Sequence, residues 1–308
     1  MAPPAPTPNA AASPNKSTTV RDNLKMAAGR VLLRQISEIA PAFAAEKLMR
    51  RYLTPPRSQP RAEAQAVLDR GTPLRLTFGR HRLAAWSWGE GPTVALLHGW
   101  GGNAGQLTAF VDPLVAAGFR VVAADAPAHG ASPGDLSCLP DLARLVARLA
   151  LDEGPLHAVV AHSLGAAAAT LAMADGVEIE RAVYIAPPVD GERWFHHFAA
   201  RSGAPAGVTA ETKRRIAQYA GFEWRRMNLT VTIRQSPRLN RPLLVLHDQD
   251  DRQVPWHAGA VLAQDWPQAR LITTHGLGHN RILRDASVVD ATVAFVRAST
   301  IAAAQVAA

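Results

Sequence analysis

The chain has 308 residues, 48% of them hydrophobic, and a formal net charge of +8, a length and composition suited to one large globular domain. Cys138 is its only cysteine, which excludes an intramolecular disulfide and a cysteine-held metal cluster and fits a cytoplasmic location. Its apolar runs are short or broken by charge, so no transmembrane helix is expected.

The positive charge is uneven. Residues 1–61 hold ten Lys/Arg against three Asp/Glu, residues 190–241 hold ten against four, and the remainder is net acidic. Neither basic segment carries a zinc-finger or RNP pattern, so nucleic acid is not an expected partner. The opening MAPPAPTPNAAASPNKSTT has no charged stretch leading into an apolar one, unlike a secretory signal, and residues 1–20 read as a disordered Pro/Ala tail.

From Arg21 to Tyr52 the periodicity is helical, with Leu24, Ala28, Val31, Leu32, Ile36 and Ile39 on one face. Pro41 should split this helix, and Pro55, Pro56 and Pro60 mark a linker, giving a segment over 21–60 before a main domain over 61–300. Two readings stand for the helices. They pack their stripe on the main domain, or residues 21–53, with Lys25, Arg30, Arg34, Lys47, Arg50 and Arg51, contact an anionic membrane.

Leu74–Phe78 and Leu83–Trp88 alternate like a hairpin turning at Gly79-Arg80. Thr93–Leu97 is fully apolar, as in a buried parallel strand, and ends in His98-Gly99-Trp100-Gly101-Gly102. That loop lacks the spacing of a dinucleotide or P-loop motif, so no cofactor is expected. A helix over Gly105–Ala117, a strand over Phe119–Ala124, a helix over Leu139–Leu151 and a strand over Leu156–Ala161 follow. This rhythm predicts an α/β fold with a mostly parallel sheet.

His162-Ser163-Leu164-Gly165 then separates a strand from an alanine-rich helix, Ala166–Ala174. A serine on so tight a turn is lifted clear of the sheet, and the next helix points its N–H groups at it. The plainer alternative is a serine that caps this helix. A strand at Ala182–Ala186 precedes residues 190–241, which are rich in arginine and aromatics and show no strand signal until Leu243–His247. Asp248, Asp250 and Asp251 follow, then a strand at Leu271–Thr273, then Gly276-Leu277-Gly278-His279-Asn280. Three acids on one loop without paired histidines are a poor metal site, and no metal is expected. A helix over Asp285–Arg297 closes the domain, and residues 301–308 should fray.

The segment around Ser163 resembles the nucleophile elbow of the α/β-hydrolase family, with Ala161 at the first glycine of G-x-S-x-G. Asp125-Ala126-Pro127-Ala128-His129-Gly130-Ala131-Ser132 resembles the family's D-x-x-G-H-G-x-S loop, with Ala128 replacing a glycine; Asp125 and His129 read as braces of that loop. The resemblance implies an α/β-hydrolase fold with a helical cap at about 190–241, inserted after the sixth strand. It implies Ser163 as nucleophile and the backbone N–H groups of Trp100 and Leu164 as oxyanion hole. It also implies Asp251, in a D-x-x-V-P segment, as acid in preference to Asp248 and Asp250, and His279 as base in preference to His275. A serine at the elbow argues against the family's epoxide and halide chemistry, which uses aspartate there. What remains is hydrolysis of a small-molecule ester, thioester or amide, the closest likeness being the esterase, lysophospholipase and serine-aminopeptidase group. The alternative is a non-catalytic ligand-binding or membrane-surface signalling member. In the cap, Lys213-Arg214-Arg215 and Arg225-Arg226 are either a solvated face or a field that attracts anionic substrates. The substrate and oligomeric state are not legible at this stage.

Overall fold

The computed structural model describes residues 16–298, with side chains from residue 27. The expected tail and frayed end lie outside these residues, except that Lys16–Val20 already belong to the first helix.

The chain runs α1 (Lys16–Ile39), α2 (Pro41–Leu53), α3 (Ala62–Asp69), β1 (Thr72–Pro73), β2 (Leu76–Phe78), β3 (His81–Leu83), β4 (Ala85–Trp88) and β5 (Thr93–Leu97). A 3-10 turn and α4 (Val111–Ala116) lead to β6 (Arg120–Ala124), α5 (Leu139–Glu153), β7 (Leu156–His162), α6 (Leu164–Ala174) and β8 (Ile179–Ile185). Then come α7 (Gly191–Arg201), α8 (Ala206–Ala220), α9 (Leu229–Gln235), β9 (Leu243–Asp248), α10 (His257–Asp265), β10 (Ala269–Thr274), α11 (Gly278–Arg281) and α12 (Ala286–Arg297).

Eight strands form one sheet in the order β1-β4-β6-β5-β7-β8-β9-β10, antiparallel only at β1–β4 and β4–β6. The side-chain alternation of a strand explains its two covered faces. Ala95, Leu97, Val159, Ala161 and Tyr184 enter one apolar layer, and Val94, Leu96, Val160, Val183 and Ile185 enter the other. From β5 the chain moves to β6 on one side, and β7 returns on the other. That reversal opens a crevice beyond the carboxyl ends of β5 and β7, where open α/β sheets bind ligands.

Two local expectations change. The second hairpin strand is split, because Ala84 turns outward, accepting from Asp125 N–H at 2.9 Å and donating to Ser132 Oγ at 3.0 Å. Only β2 and β3 form the hairpin, while β4 joins the main sheet. The helix expected from Gly105 begins as a 3-10 turn over Ala104–Phe110; Pro113, which lacks an N–H, sits in the first turn of α4, where it is tolerated.

The N-terminal helices depart from expectation only in part. Pro41 does end α1, and the apolar face of α2 packs on the main domain, with Met49 and Leu53 joining the core of the sheet and the rest of that face lying on the insertion between β8 and β9. Ala44, Ala45 and Leu48 form a buried cluster with Ala199 and Val208, and Thr212 Oγ1 donates to Ala45 O at 3.3 Å. Val31, Leu32 and Ile39 of the expected buried stripe are exposed, as is Phe43. No helix among the described residues is long and apolar enough to cross a membrane.

Candidate active site

Ser163 leaves β7 with φ 51° and ψ −121°. For a non-glycine residue this left-handed backbone costs roughly 1–2 kcal/mol, and strain of this kind collects at functional sites. Its N–H donates to Ile185 O at 2.9 Å, which ties the turn to β8. The glycine after the elbow is required by space: a Cβ on Gly165 would stand 2.7 Å from Leu97 O. Ala161, the departure from the family pattern, is buried within β7 between Leu97 and Tyr184, where a methyl fits.

Gly99 lets the loop after β5 approach, since a Cβ there would lie 2.9 Å from Ser163 Cβ. Trp100 N–H and Leu164 N–H have no acceptor among the described residues; the second is a first-turn helix amide, which has no partner within its helix. The loop behind them is braced as its sequence suggests. Asp125 accepts from Ala104 N–H at 2.7 Å and from Ala131 N–H at 2.8 Å, and His129 Nδ1 donates to Pro127 O at 2.9 Å. Ala128, in the glycine position, takes φ 65°.

The three aspartates after β9 have different partners. Asp251 Oδ2 lies 2.7 Å from His279 Nδ1, and both side chains are almost wholly buried. Burial opposes the Asp251 charge, but hydrogen bonds from His247 and His279, the His279 charge and Val254 N–H outweigh it and hold the carboxyl well below the usual carboxylate range. Asp248 accepts from Leu277 N–H at 3.0 Å and Thr274 Oγ1 at 2.7 Å, and Asp250 from Gly276 N–H at 2.8 Å. These two therefore hold the loop that carries His279, and Asp251 alone pairs with the ring. His275, the competing base, is exposed and outside the cavity.

Ser163, His279, Trp100 and Leu164 all border a cavity of about 560 Å³. Ser163 Oγ has no hydrogen-bond partner among the described residues, and such bonds often tighten only when substrate binds. Of the insertion's aromatics, Trp194, Phe198, Phe222 and Trp224 line the cavity, while Phe195 is buried in the core.

Two contributors escaped sequence reasoning. Tyr52, Thr54 and Pro56 form part of the cavity wall, and the linker around them is bound to the site loops. Ser58 Oγ donates to Gly101 O at 2.8 Å, and Arg57 donates to the carbonyls of Gly130, Ser132 and Gly134 at 2.7–3.1 Å. The prolines signalled an extended stretch but not its destination. His162 is the second: its Nε2 donates to His279 O at 3.0 Å, and its only signal was one polar residue closing an apolar strand.

Burial holds His98 down to about 4, His129 to about 4, with the neighbouring His98 adding to the effect, and His162 to about 3, where His279 adds to it. In the unfolded chain each ring takes a proton near pH 6.5. The unfolded chain therefore binds more protons than the folded one from pH 6.5 down to about 4, and stability falls as pH falls through that window. Each ring contributes up to about 1.4 kcal/mol per pH unit; Asp125, pushed up by burial, partly offsets this. Thermal melts should show Tm dropping steeply from pH 7 to 5. A flat Tm would mean that these rings do not stay neutral in the fold.

A mostly parallel sheet covered by helices, with a strained serine on the turn after β7 and a buried Asp–His pair carried beyond β9 and β10, defines an α/β protein with its site at the carboxyl ends of the strands. The chain belongs to the alpha/beta hydrolase family, whose model matches residues 94–291. Among solved structures it is similar to the Pyrococcus furiosus esterase Pf2001, at 18% identity and a TM-score of 0.60, covering 80% of this chain and 98% of that one. A putative lipase from Acinetobacter baumannii AYE is similar at 16% identity and 0.57, covering 76% and 93%. A putative non-heme bromoperoxidase, BpoC, from Mycobacterium tuberculosis H37Rv is similar at 22% and 0.52, covering 71% and 98%. These identities speak to the fold alone. No curated protein matches the chain.

Proposed function

We propose that the protein is a cytoplasmic serine hydrolase that cleaves a carboxylic ester, thioester or amide through Ser163, His279 and Asp251, with residues 190–241 as a cap over the site. The observation that carries this reading is the buried 2.7 Å Asp251–His279 bond bordering the cavity faced by Ser163. With Nδ1–H held by Asp251, His279 presents a bare Nε2. Ser163 Oγ attacks the carbonyl carbon, and its proton passes to Nε2. Trp100 and Leu164 N–H receive the oxyanion; one such donor is worth ~3 kcal/mol. Collapse expels the leaving group, which takes the proton from His279 and leaves an acyl-serine. Water, deprotonated by the same nitrogen, then releases the acid and restores Ser163. The hydrolase, esterase and lipase relatives favour this chemistry by analogy. A fluorophosphonate probe should label the parent and fail to label Ser163→Ala; a parent that stays unlabelled favours a ligand-binding member.

A second reading rests on the exposed Val31, Leu32, Ile39 and Phe43, with Lys47 over the Phe43 ring at 5.1 Å. This patch suits shallow contact with an anionic bilayer. The full chain should co-sediment with phosphatidylglycerol vesicles and lose most binding on Val31→Ser/Leu32→Ser/Phe43→Ser. Equal sedimentation of parent and variant would discard the contact.

A further inference from the structure

The basic runs that stand out in the sequence of the insertion are neutralised in the fold. Lys213 pairs with Glu192, Arg214 and Arg215 with Glu211, Arg225 with Glu223, and Arg226 with Asp175. Arg215 also reaches Glu46 of α2 at 3.3 Å. None of these five cations borders the cavity. Two others do, Arg51 at the end of α2 and Arg201 at the end of α7. Neither makes an ion pair among the described residues, and both are exposed at the rim. Arg51 lies over the Phe198 ring at 5.9 Å, Phe198 and Arg201 stand one turn apart on one side of α7, and all three border the cavity. The cavity below them is apolar, walled by Trp194, Phe198, Phe222 and Trp224. Its one lining carboxylate among the described residues, Asp190, accepts Arg193 N–H at the opposite end of α7. At the rise of an α-helix, the 11 residues of α7 separate that end from Arg201 by ~15 Å.

We infer that Arg51 and Arg201 form an anion subsite at the rim, so that the substrate is an ester whose scissile carbonyl is joined through an apolar spacer to a carboxylate or phosphate. This rests on the hydrolase reading of Ser163. An apolar wall rejects a charged group along its length, and two guanidinium groups at its end accept one. The anion therefore selects which molecules enter and how far the chain runs before the carbonyl reaches Ser163. The basic N-terminal helix and the basic insertion meet in this one feature, one cation from each.

The test compares p-nitrophenyl hydrogen suberate with p-nitrophenyl methyl suberate, which differ in the distal charge and share the reacting ester. The parent should favour the anionic ester by roughly tenfold in kcat/KM, carried by KM and shrinking with added salt. Arg51→Gln/Arg201→Gln should bring the ratio to about one. Arg214→Gln/Arg225→Gln, which alters paired cations outside the cavity, should leave the ratio as it is in the parent. A parent ratio near one, or a ratio that survives in the Arg51→Gln/Arg201→Gln protein, overturns the subsite. Binding to Ser163→Ala separates this from the hydrolase reading, since it needs no turnover. Calorimetry should show decanoate bound at least fivefold more tightly than decan-1-ol, with the difference lost in the Arg51→Gln/Arg201→Gln background. Equal binding of the two would overturn the subsite even if both esters were hydrolysed. Competition by decanoate alone marks a soluble acid as the natural anion, competition by lysophosphatidylglycerol alone marks a lipid headgroup, and competition by neither overturns the inference.

Discussion

Ser163→Ala is expected to abolish ester turnover while the protein melts within a few degrees of the parent. The hydroxyl makes no hydrogen bond among the described residues; the pinning bonds belong to the backbone, Ser163 N–H to Ile185 O and Ala166 N–H to Ser163 O. Alanine must still adopt the left-handed backbone, as serine does at φ 51°, so the strain carries over unchanged. Removing the nucleophile of a triad leaves only the oxyanion donors and binding, and the loss typically reaches ~10⁶-fold in kcat. The measurement is initial-rate hydrolysis of a p-nitrophenyl ester, beside the thermal transition of both proteins. Turnover within tenfold of the parent would remove Ser163 from the mechanism.

Asp251→Asn is expected to be the second most damaging change, at ~10⁴-fold in kcat. The 2.7 Å bond from His279 Nδ1 requires an acceptor. Val254 N–H and Gln253 N–H already occupy Oδ1 at 2.9 and 2.8 Å, which forces an asparagine to turn its NH₂ toward the ring. The histidine must then accept at Nδ1 and carry its proton on Nε2, where it cannot take one from serine. Asp250→Asn should cost less than tenfold, because the one hydrogen bond its side chain makes among the described residues is from the Gly276 N–H in an exposed turn. Asp248→Asn should show mainly as a lower Tm, by about 1–3 kcal/mol of stability, since the buried carboxylate ties Leu277 and Thr274 to β9. If Asp250→Asn proved the crippling variant, the acid would be misassigned.

Several features were readable along the chain because they depend on near neighbours. The strands β5, β6, β7, β8 and β9 declare themselves as apolar runs, since a parallel strand is buried on both faces. The elbow is local too: Ser163 and Gly165 sit on one turn, and the close approach to Leu97 O that excludes a Cβ at Gly165 follows wherever a helix leaves a strand so sharply. The D-x-x-V-P spacing, through the family resemblance, pointed to Asp251 over its two neighbours, and Asp251 is the aspartate that lies 2.7 Å from His279 Nδ1. The hairpin was less legible. Nothing in the alternation of residues 81–88 tells that Ala84 will bond to Asp125 and Ser132 across the sheet edge.

What the sequence by itself determined is the sheet, the turn that lifts Ser163 and the order of the residues around it, because each rests on side-chain period, residue size or spacing within a few positions. What only the tertiary structure decided is the roof. Ala44, Ala45 and Leu48 could have covered any apolar surface, and their packing on the insertion brings Tyr52 and Arg51 to the cavity. Charge is the plainest case. Net charge counts the cations but not their partners, and a carboxylate distant in sequence, such as Glu46 beside Arg215 or Asp175 beside Arg226, cancels one of them only after folding. The runs in the insertion that looked basic are paired, whereas the cations that border the cavity among the described residues are Arg51, beside Arg50 at the end of α2, and Arg201, which stands in no basic run.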